Sequence, residues 1–201
     1  MISTKQQMPY NLLKKHIKNI TEVSNKDLDK ICSYFKIRDI NKKSVLLTQG
    51  HIYKYEGFVL EGCFRVFTID KKGHENTLYF ATKSWWLIDN DSFMNQHPSN
   101  LNIQALEDSQ VLLIKREDKM ELYNTLPVVE KLFRIMSQKA LVAWQRRLIR
   151  NHSLTAEERY YHFIQTYPDI VSKINDRQIS SYLGITHEFL SKIKRKHTLK
   201  K

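Results

Sequence analysis

Residues 175–195 read NDRQISSYLGITHEFLSKIKR, and this stretch decides how the C-terminal third of the chain folds. With Gly184 as the turn residue, Ile179 and Leu183 lie five and one positions before it. Ile185, Leu190 and Ile193 lie one, six and nine positions after it. Ser180 is the small residue where two helices cross closely. Every apolar position that two crossed helices must bury is filled, so the stretch reads as a helix-turn-helix. Gly184 suits the turn because left-handed φ values cost it little. Thr186 can cap the second helix through its hydroxyl.

That arrangement decides which side chains face outward. His187, Glu188, Ser191, Lys192 and Arg195 fall on the open side of the second helix, at spacings that reach one groove of a duplex. A recognition helix reads base edges from its first turns and holds phosphates with its basic residues. Glu188 can accept from a cytosine amino group, and Lys192 can donate to guanine. Thr186, Ser191, Lys194 and Lys196 suit phosphate contacts, and Gln178 is placed to touch the backbone from the start of the first helix. The alternative is an ordinary αα-hairpin with a basic face.

Charge points the same way. The 201 residues carry a formal net charge of +12. Residues 127–201 hold 15 of the 33 basic residues but only 6 of the 21 acidic ones. A basic third of this kind suits a polyanion, which is a nucleic acid or an anionic membrane surface. No apolar run approaches the roughly 18–20 residues of a membrane span, and no signal-peptide pattern is present. The two cysteines, Cys32 and Cys63, are too few for a disulfide scaffold or a cysteine-based metal cluster. A cytoplasmic protein is expected.

Upstream, four of the five glycines (Gly50, Gly57, Gly62 and Gly73) cluster in a region of short apolar runs. Residues 63–69 and 77–80 flank a polar turn ending in Gly73 and predict a hairpin. Further strands are expected near Val45–Thr48, Phe58–Leu60, Trp85–Ile88, Asn102–Leu106 and Val111–Ile114. Short strands at this spacing indicate a sandwich or barrel. Helices flank it. Ser24 caps a predicted helix over 25–35, and Pro127 opens a long one to about Arg150. On the latter, Val128, Ile135, Val142 and Ile149 recur every seven residues. They form a seam for a twin helix or, alternatively, for the β domain of the same chain.

A β-roll, a long helix and a helix-turn-helix, in that order, resemble the Crp/Fnr superfamily of transcription regulators. Particular stretches carry the resemblance: Phe58-Val59-Leu60-Glu61-Gly62-Cys63-Phe64-Arg65, Ala105-Leu106-Glu107-Asp108 and Gln145-Arg146-Arg147-Leu148. Ala156-Glu157-Glu158-Arg159-Tyr160 and Ser181-Tyr182-Leu183-Gly184-Ile185-Thr186 extend it across nearly the whole chain. The resemblance implies an α+β protein with a cyclic-nucleotide-binding-like jelly roll over 1–126, a dimerisation helix over 127–150 and a DNA-binding domain over 151–201. It further implies a homodimer on an inverted-repeat DNA operator, RNA polymerase as a further partner, and a small-molecule or redox signal sensed in the roll.

The sequence departs from the family pattern in three places. The cyclic-nucleotide cassette needs a Gly-Glu pair and, about ten residues on, an Arg followed by Ser or Thr. Residues 84–106 contain no Gly, Glu, Arg or Lys, and Ile88-Asp89 and Ser99-Asn100 stand in the corresponding places. A buried phosphate without a cation is costly, so cyclic AMP is not expected. Phe80, Trp85, Trp86, Ser99, Asn100 and Asn102 are the candidates for an apolar effector pocket, if an effector exists; the paired tryptophans can equally be core. Two cysteines cannot hold a four-cysteine iron–sulfur cluster. The sequence leaves haem open, though no Cys or His is placed as its ligand, and no cofactor is expected. Finally, only Lys194–Lys201 follow Ile193, which predicts a wingless variant with a loose phosphate-binding tail.

Two rival readings remain. A cupin-type enzyme needs about three convergent histidines, and no two of the eight stand close enough to start such a site; His74-Glu75 with His97 is the nearest fragment. No catalytic or metal site is expected, and both cysteines read as core. A protein-interaction or anionic-surface module using the basic third is the other rival, but Leu190 and Ile193 are already needed to close the helix-turn-helix.

Overall fold

The computed structural model describes residues 4–198, with side chains over residues 9–196. Two N-terminal helices, α1 (Thr4–Lys18) and α2 (Asn25–Ser33), precede β1 (Lys36–Ile40), β2 (Val45–Leu47), β3 (Tyr55–Glu61), β4 (Cys63–Ile69), β5 (Glu75–Thr82) and β6 (Trp86–Leu87). A short α3 (Asn90–Asn95) interrupts before β7 (Asn102–Ala105) and β8 (Ser109–Lys115). Then come α4 (Arg116–Thr125), α5 (Pro127–Ser153), α6 (Ala156–Thr166), α7 (Pro168–Val171), α8 (Asp176–Leu183) and α9 (His187–Thr198).

The strands form two four-stranded antiparallel sheets, ordered β1-β8-β3-β6 and β2-β7-β4-β5. This is the expected α+β jelly roll. The predicted hairpin is β4–β5, with Cys63 opposite Thr82 and Ile69 opposite Glu75.

Apolar runs rather than alternating ones make sense once three cores are seen. Val59, Val111 and Leu113 point between the sheets, where Phe64, Val66 and Ile103 meet them. Their neighbours Phe58, Leu60, Leu112 and Ile114 point outward and are buried under α1, α2, α4 and α5. The third core lies over the other sheet, where Phe80 of β5 is buried with Tyr160, Phe163, Ile179 and Leu190. A strand with both faces buried has no polar face to alternate with.

Ser24 caps α2 as expected, its side chain accepting from the Asp27 N–H at 3.0 Å. The long helix begins at Pro127 and runs one turn past the expected end. Strand β1 carries Lys36, Arg38 and Asp39 on an edge, and that polar content concealed it; α3 and α4 were not anticipated either. Lys119 of α4 forms a buried ion pair with Glu56 of β3 and sits 3.7 Å from the Phe133 ring centroid, tying α4, β3 and α5 together. Among the described residues no helix is long and apolar enough to cross a membrane.

Two glycines separate packing from backbone strain. Gly62, at φ +101°, turns the chain between β3 and β4, and a Cβ there would lie 2.0 Å from Ser109 Oγ. Gly184, at φ +66°, has nothing within 4 Å of that point. We expect Gly184→Ala to cost about 1 kcal/mol through φ alone. Gly62→Ala adds overpacking of about 1–3 kcal/mol to that. Urea unfolding of the two variants measures the difference, and equal losses would contradict the close approach to Ser109.

Candidate nucleic-acid interface and interdomain cleft

The helix-turn-helix closes as its spacing predicts. Asn175 and Gln178 form a reciprocal capping box at the start of α8, each side chain accepting from the other's N–H at 3.0 Å. Gly184 ends α8 in the left-handed conformation, its N–H donating to the Ser180 carbonyl. Thr186 Oγ1 then accepts from the Phe189 N–H at 3.2 Å, which starts α9. Ile179, Ser180, Leu183, Leu190 and Ile193 are all buried, and Ile185 is half-buried against them.

His187, Glu188, Lys192 and Arg195 are exposed on α9. The Glu188 carboxyl is held below its ordinary pKa by N–H and hydroxyl donors of this first turn, so it is an anion. Ser191 is half-buried, its hydroxyl donating to the His187 carbonyl at 3.1 Å. The amide of Gln178 is partly engaged in the capping box. Lys194 reaches Asp176 at 2.8 Å and Lys196 reaches Glu157 at 2.7 Å, so both proposed phosphate ligands are held by carboxylates of neighbouring helices. Residues 199–201 of the predicted tail lie outside the described residues. Sequence reading missed Phe189, which is 47% exposed between Glu188 and Leu190. Its signal was available: it is the one large apolar residue of α9 that the crossing does not require.

The C-terminal helices dock on the outer face of β5. Ser181 Oγ donates to the Glu75 carbonyl at 2.6 Å and accepts from the Thr77 N–H at 2.9 Å. Arg147 of α5 donates to the carbonyls of both Thr77 and Tyr182. Beside this contact a cleft of about 490 Å³ opens between β5 and β6, α5, and the C-terminal helices. Of the six effector-pocket candidates, Phe80, Trp85 and Trp86 line it. The other three candidates do not line it. Ser99 is buried and donates to Asp89, Asn102 accepts from the Gln49 N–H, and Asn100 is exposed.

Residues 37–125 match the model of the cyclic nucleotide-binding domain family. The structure is similar to that of FixK2 from Bradyrhizobium japonicum (19% identity over 82% of this chain and 85% of that one, TM-score 0.70). It is also similar to the c-di-GMP responsive regulator CLP of Xanthomonas campestris (12%, 88% and 93%, 0.71) and to the Thermus thermophilus catabolite activator protein (18%, 90% and 86%, 0.55). The chain shares the fold of these proteins, and its roll is similar to the cyclic nucleotide-binding domain. No curated protein sequence matches the chain.

Within this fold the segment that stands in place of the cassette is self-satisfied. Asp89 accepts from the N–H groups of Asp91 and Ser92 to cap α3, and Ser99 fills a further lone pair at 2.5 Å. The segment itself supplies no Lys or Arg, although Arg116 donates to the Phe93 carbonyl from outside it. Both thiols are buried, and burial pushes Cys32 up to about 11 and Cys63 up to about 12, which leaves them protonated. His74 and His97 are turned to Asp70 and Asp91 respectively. No metal-binding group of three or more His, Cys, Asp or Glu forms among the described residues.

The seam divides along α5. Val128 is half-buried against the chain's own core and Ile135 is half-buried, whereas Val142 and Ile149 are 43% and 55% exposed, flanked by exposed Leu141 and Leu148.

Because Phe80 belongs to the core of the C-terminal helices, Phe80→Ala is expected to cost about 3–5 kcal/mol. Hydrogen exchange should accelerate in α6 and α8 while β1 and β8 stay protected. Equal acceleration in both places would mean that Phe80 does not anchor the helices separately.

Proposed function

We propose that this protein is a sequence-specific DNA-binding transcription regulator that acts as a homodimer, not an enzyme. The observation that carries the reading is the closed helix-turn-helix, whose second helix leaves His187, Glu188, Phe189, Lys192 and Arg195 open to one side. Helix α9 enters the major groove, where Glu188 accepts from a cytosine amino group and Lys192 donates to guanine. Phe189 adds an apolar surface of the kind that packs on a thymine methyl. Thr186, Ser191 and Gln178 contact the backbone. Lys194 and Lys196 exchange their carboxylates for phosphates, which exposed ion pairs, worth little individually, permit.

The seam Val128, Ile135, Val142 and Ile149 pairs with its twin and sets the half-sites about one helical turn, roughly 34 Å, apart. An inverted-repeat operator follows from that two-fold symmetry, and RNA polymerase is the further partner this class of regulator addresses. Burial of Leu190 and Ile193 supports this over an anionic-surface module, because α9 then has no wide apolar face to lay on a membrane.

Selection from random duplexes by purified protein should return an inverted repeat; an enriched asymmetric site would refute the dimeric mode. Glu188→Ala should relax preference at one base position by about 1–3 kcal/mol, and Phe189→Ala should weaken preference for thymine next to it. Unchanged site preference for both would mean that α9 is differently oriented. Replacing Lys194 and Lys196 together by Gln should flatten the plot of log Kd against log salt by up to about 1.8. An unaltered slope would remove both from the phosphate contacts.

A further inference from the structure

The cleft beside α5 has a chemistry of its own. Its walls are aromatic and come from three sources: Tyr79 of the roll, Trp144 of α5, and Tyr167 and Tyr182 of the C-terminal helices. Two edge-to-face pairs bridge those sources, Tyr79 with Trp144 at 5.9 Å and Trp85 with Tyr167 at 6.0 Å. One end is cationic. Arg147 and Arg150 line the cleft, and together with Arg159 they line a small adjoining recess. Arg147 and Arg159 donate to backbone carbonyls, and the Arg159 Nε–H is buried with no partner. None of the three has a carboxylate within ion-pair distance among the described residues. Burial lowers the pKa of Arg147, Tyr182 and Tyr167 oppose that, and the neighbouring Arg150 adds a smaller lowering. The opposite end carries Asp89 and Asp91, which repel a second acid.

We propose that the cleft binds a planar aromatic monocarboxylate. Its ring inserts among Tyr79, Trp144 and Tyr182, and its acid pairs with Arg147 and Arg150. The volume of about 490 Å³ suits a small organic molecule, and arginine forks match a carboxylate. A ligand so placed touches the roll, α5 and the C-terminal helices at once. It stabilises the docked arrangement and so biases which orientations of α9 the protein populates; this regulatory consequence rests on the DNA-binding reading above, whereas the binding itself does not. The anion-binding end is supplied by α5 and α6, not by the cassette segment, where Ser99 and Asn102 are already partnered.

The test is calorimetric titration of the full chain with naphthoate, with neutral naphthamide and with inorganic phosphate. Naphthoate is expected to bind at least about tenfold more tightly than either, as one charge-assisted pair would give. Arg150→Gln should abolish the advantage over naphthamide, and Arg150→Lys should restore part of it. Equal unfolding midpoints of the ligand-free variants would show that the loss is local. All three tryptophans of the chain (Trp85, Trp86 and Trp144) line the cleft, so their emission must change on saturation. Absence of saturable heat, equal affinity for acid and amide, or binding that leaves the emission unchanged would each overturn the site. In operator titrations, saturating naphthoate should shift Kd at least about threefold, a coupling free energy of at least about 0.65 kcal/mol; an unmoved Kd beside a working operator would overturn the regulatory role. The naphthoate titrations contain no DNA, so an empty duplex selection would defeat the DNA-binding reading and leave the site standing.

Discussion

Strand β5 has to bury both of its faces, and the arrangement of the whole chain follows from that requirement. Ala81 points between the two sheets while Phe80, one residue earlier, points into the core of the C-terminal helices. A phenylalanine that is 2% exposed contributes on the order of 1.5–3 kcal/mol by burial, which is lost if the helices lift away. The C-terminal helices therefore complete their core with a side chain borrowed from the roll, more than 70 residues upstream. Ser181, hydrogen-bonded to the backbone of Glu75 and Thr77, fixes the register of that contact. The expected boundary between a domain ending at 150 and one beginning at 151 describes chain order, while the packing unit of the last helices includes β5.

This explains what could be read in the sequence and what could not. The helix-turn-helix was legible because every buried position of a crossed helix pair lies within 15 residues of the others, so its signal is local and self-checking. The roll was legible in its apolar strands and in its Gly-ended turn. Strand β1 was not, because it pairs with β8 along one edge only and carries the exposed charged residues Lys36, Arg38 and Asp39 among its two isoleucines. The surroundings of the effector candidates were hidden for a different reason. Trp85 and Trp86 sit side by side in sequence, yet strand pleating sends them apart: Trp86 packs on Phe58 and Phe133 and donates to His16, while Trp85 meets Tyr167. Ser99 and Asn102 looked like free polar groups because their partners, Asp89 and Gln49, lie ten and 53 residues away. The arginines at the far end of the cleft were visible as charge but could not be assigned to it without the docking of α6 and α8.

Charge counts overstate what a basic surface offers. The excess in residues 127–201 is real, but Asp176 and Glu157, two of the six acids there, are spent on Lys194 and Lys196. These exposed pairs are cheap to break, so they lower the free cation density of the unbound protein without preventing phosphate contact. By contrast, Arg147 is half-buried and bonded only to carbonyls, and no nearby acid neutralises it. The arginines proposed to meet a small anion belong to the same basic third but lie on α5, away from the exposed cations of α9.

Helix α5 joins these roles through its periodicity. At 100° per residue, Val129, Leu132, Phe133 and Met136 share one stripe with Ala140, Ala143, Trp144, Arg147 and Arg150. The first half of that stripe is covered by the chain's own core; the second half leaves the roll and becomes the wall of the cleft. Ile135, Val142 and Ile149 lie on the opposite side, where the exposed apolar residues gather. The helix is thus too regular to send both sets to the same neighbour. Val142 and Ile149 stand exposed, so the roll of the same chain does not cover them. Any molecule that shifted or rotated α5 from the cleft side would displace the proposed seam by the same rigid motion, so the proposed ligand and a twin helix would act on one element from its two faces.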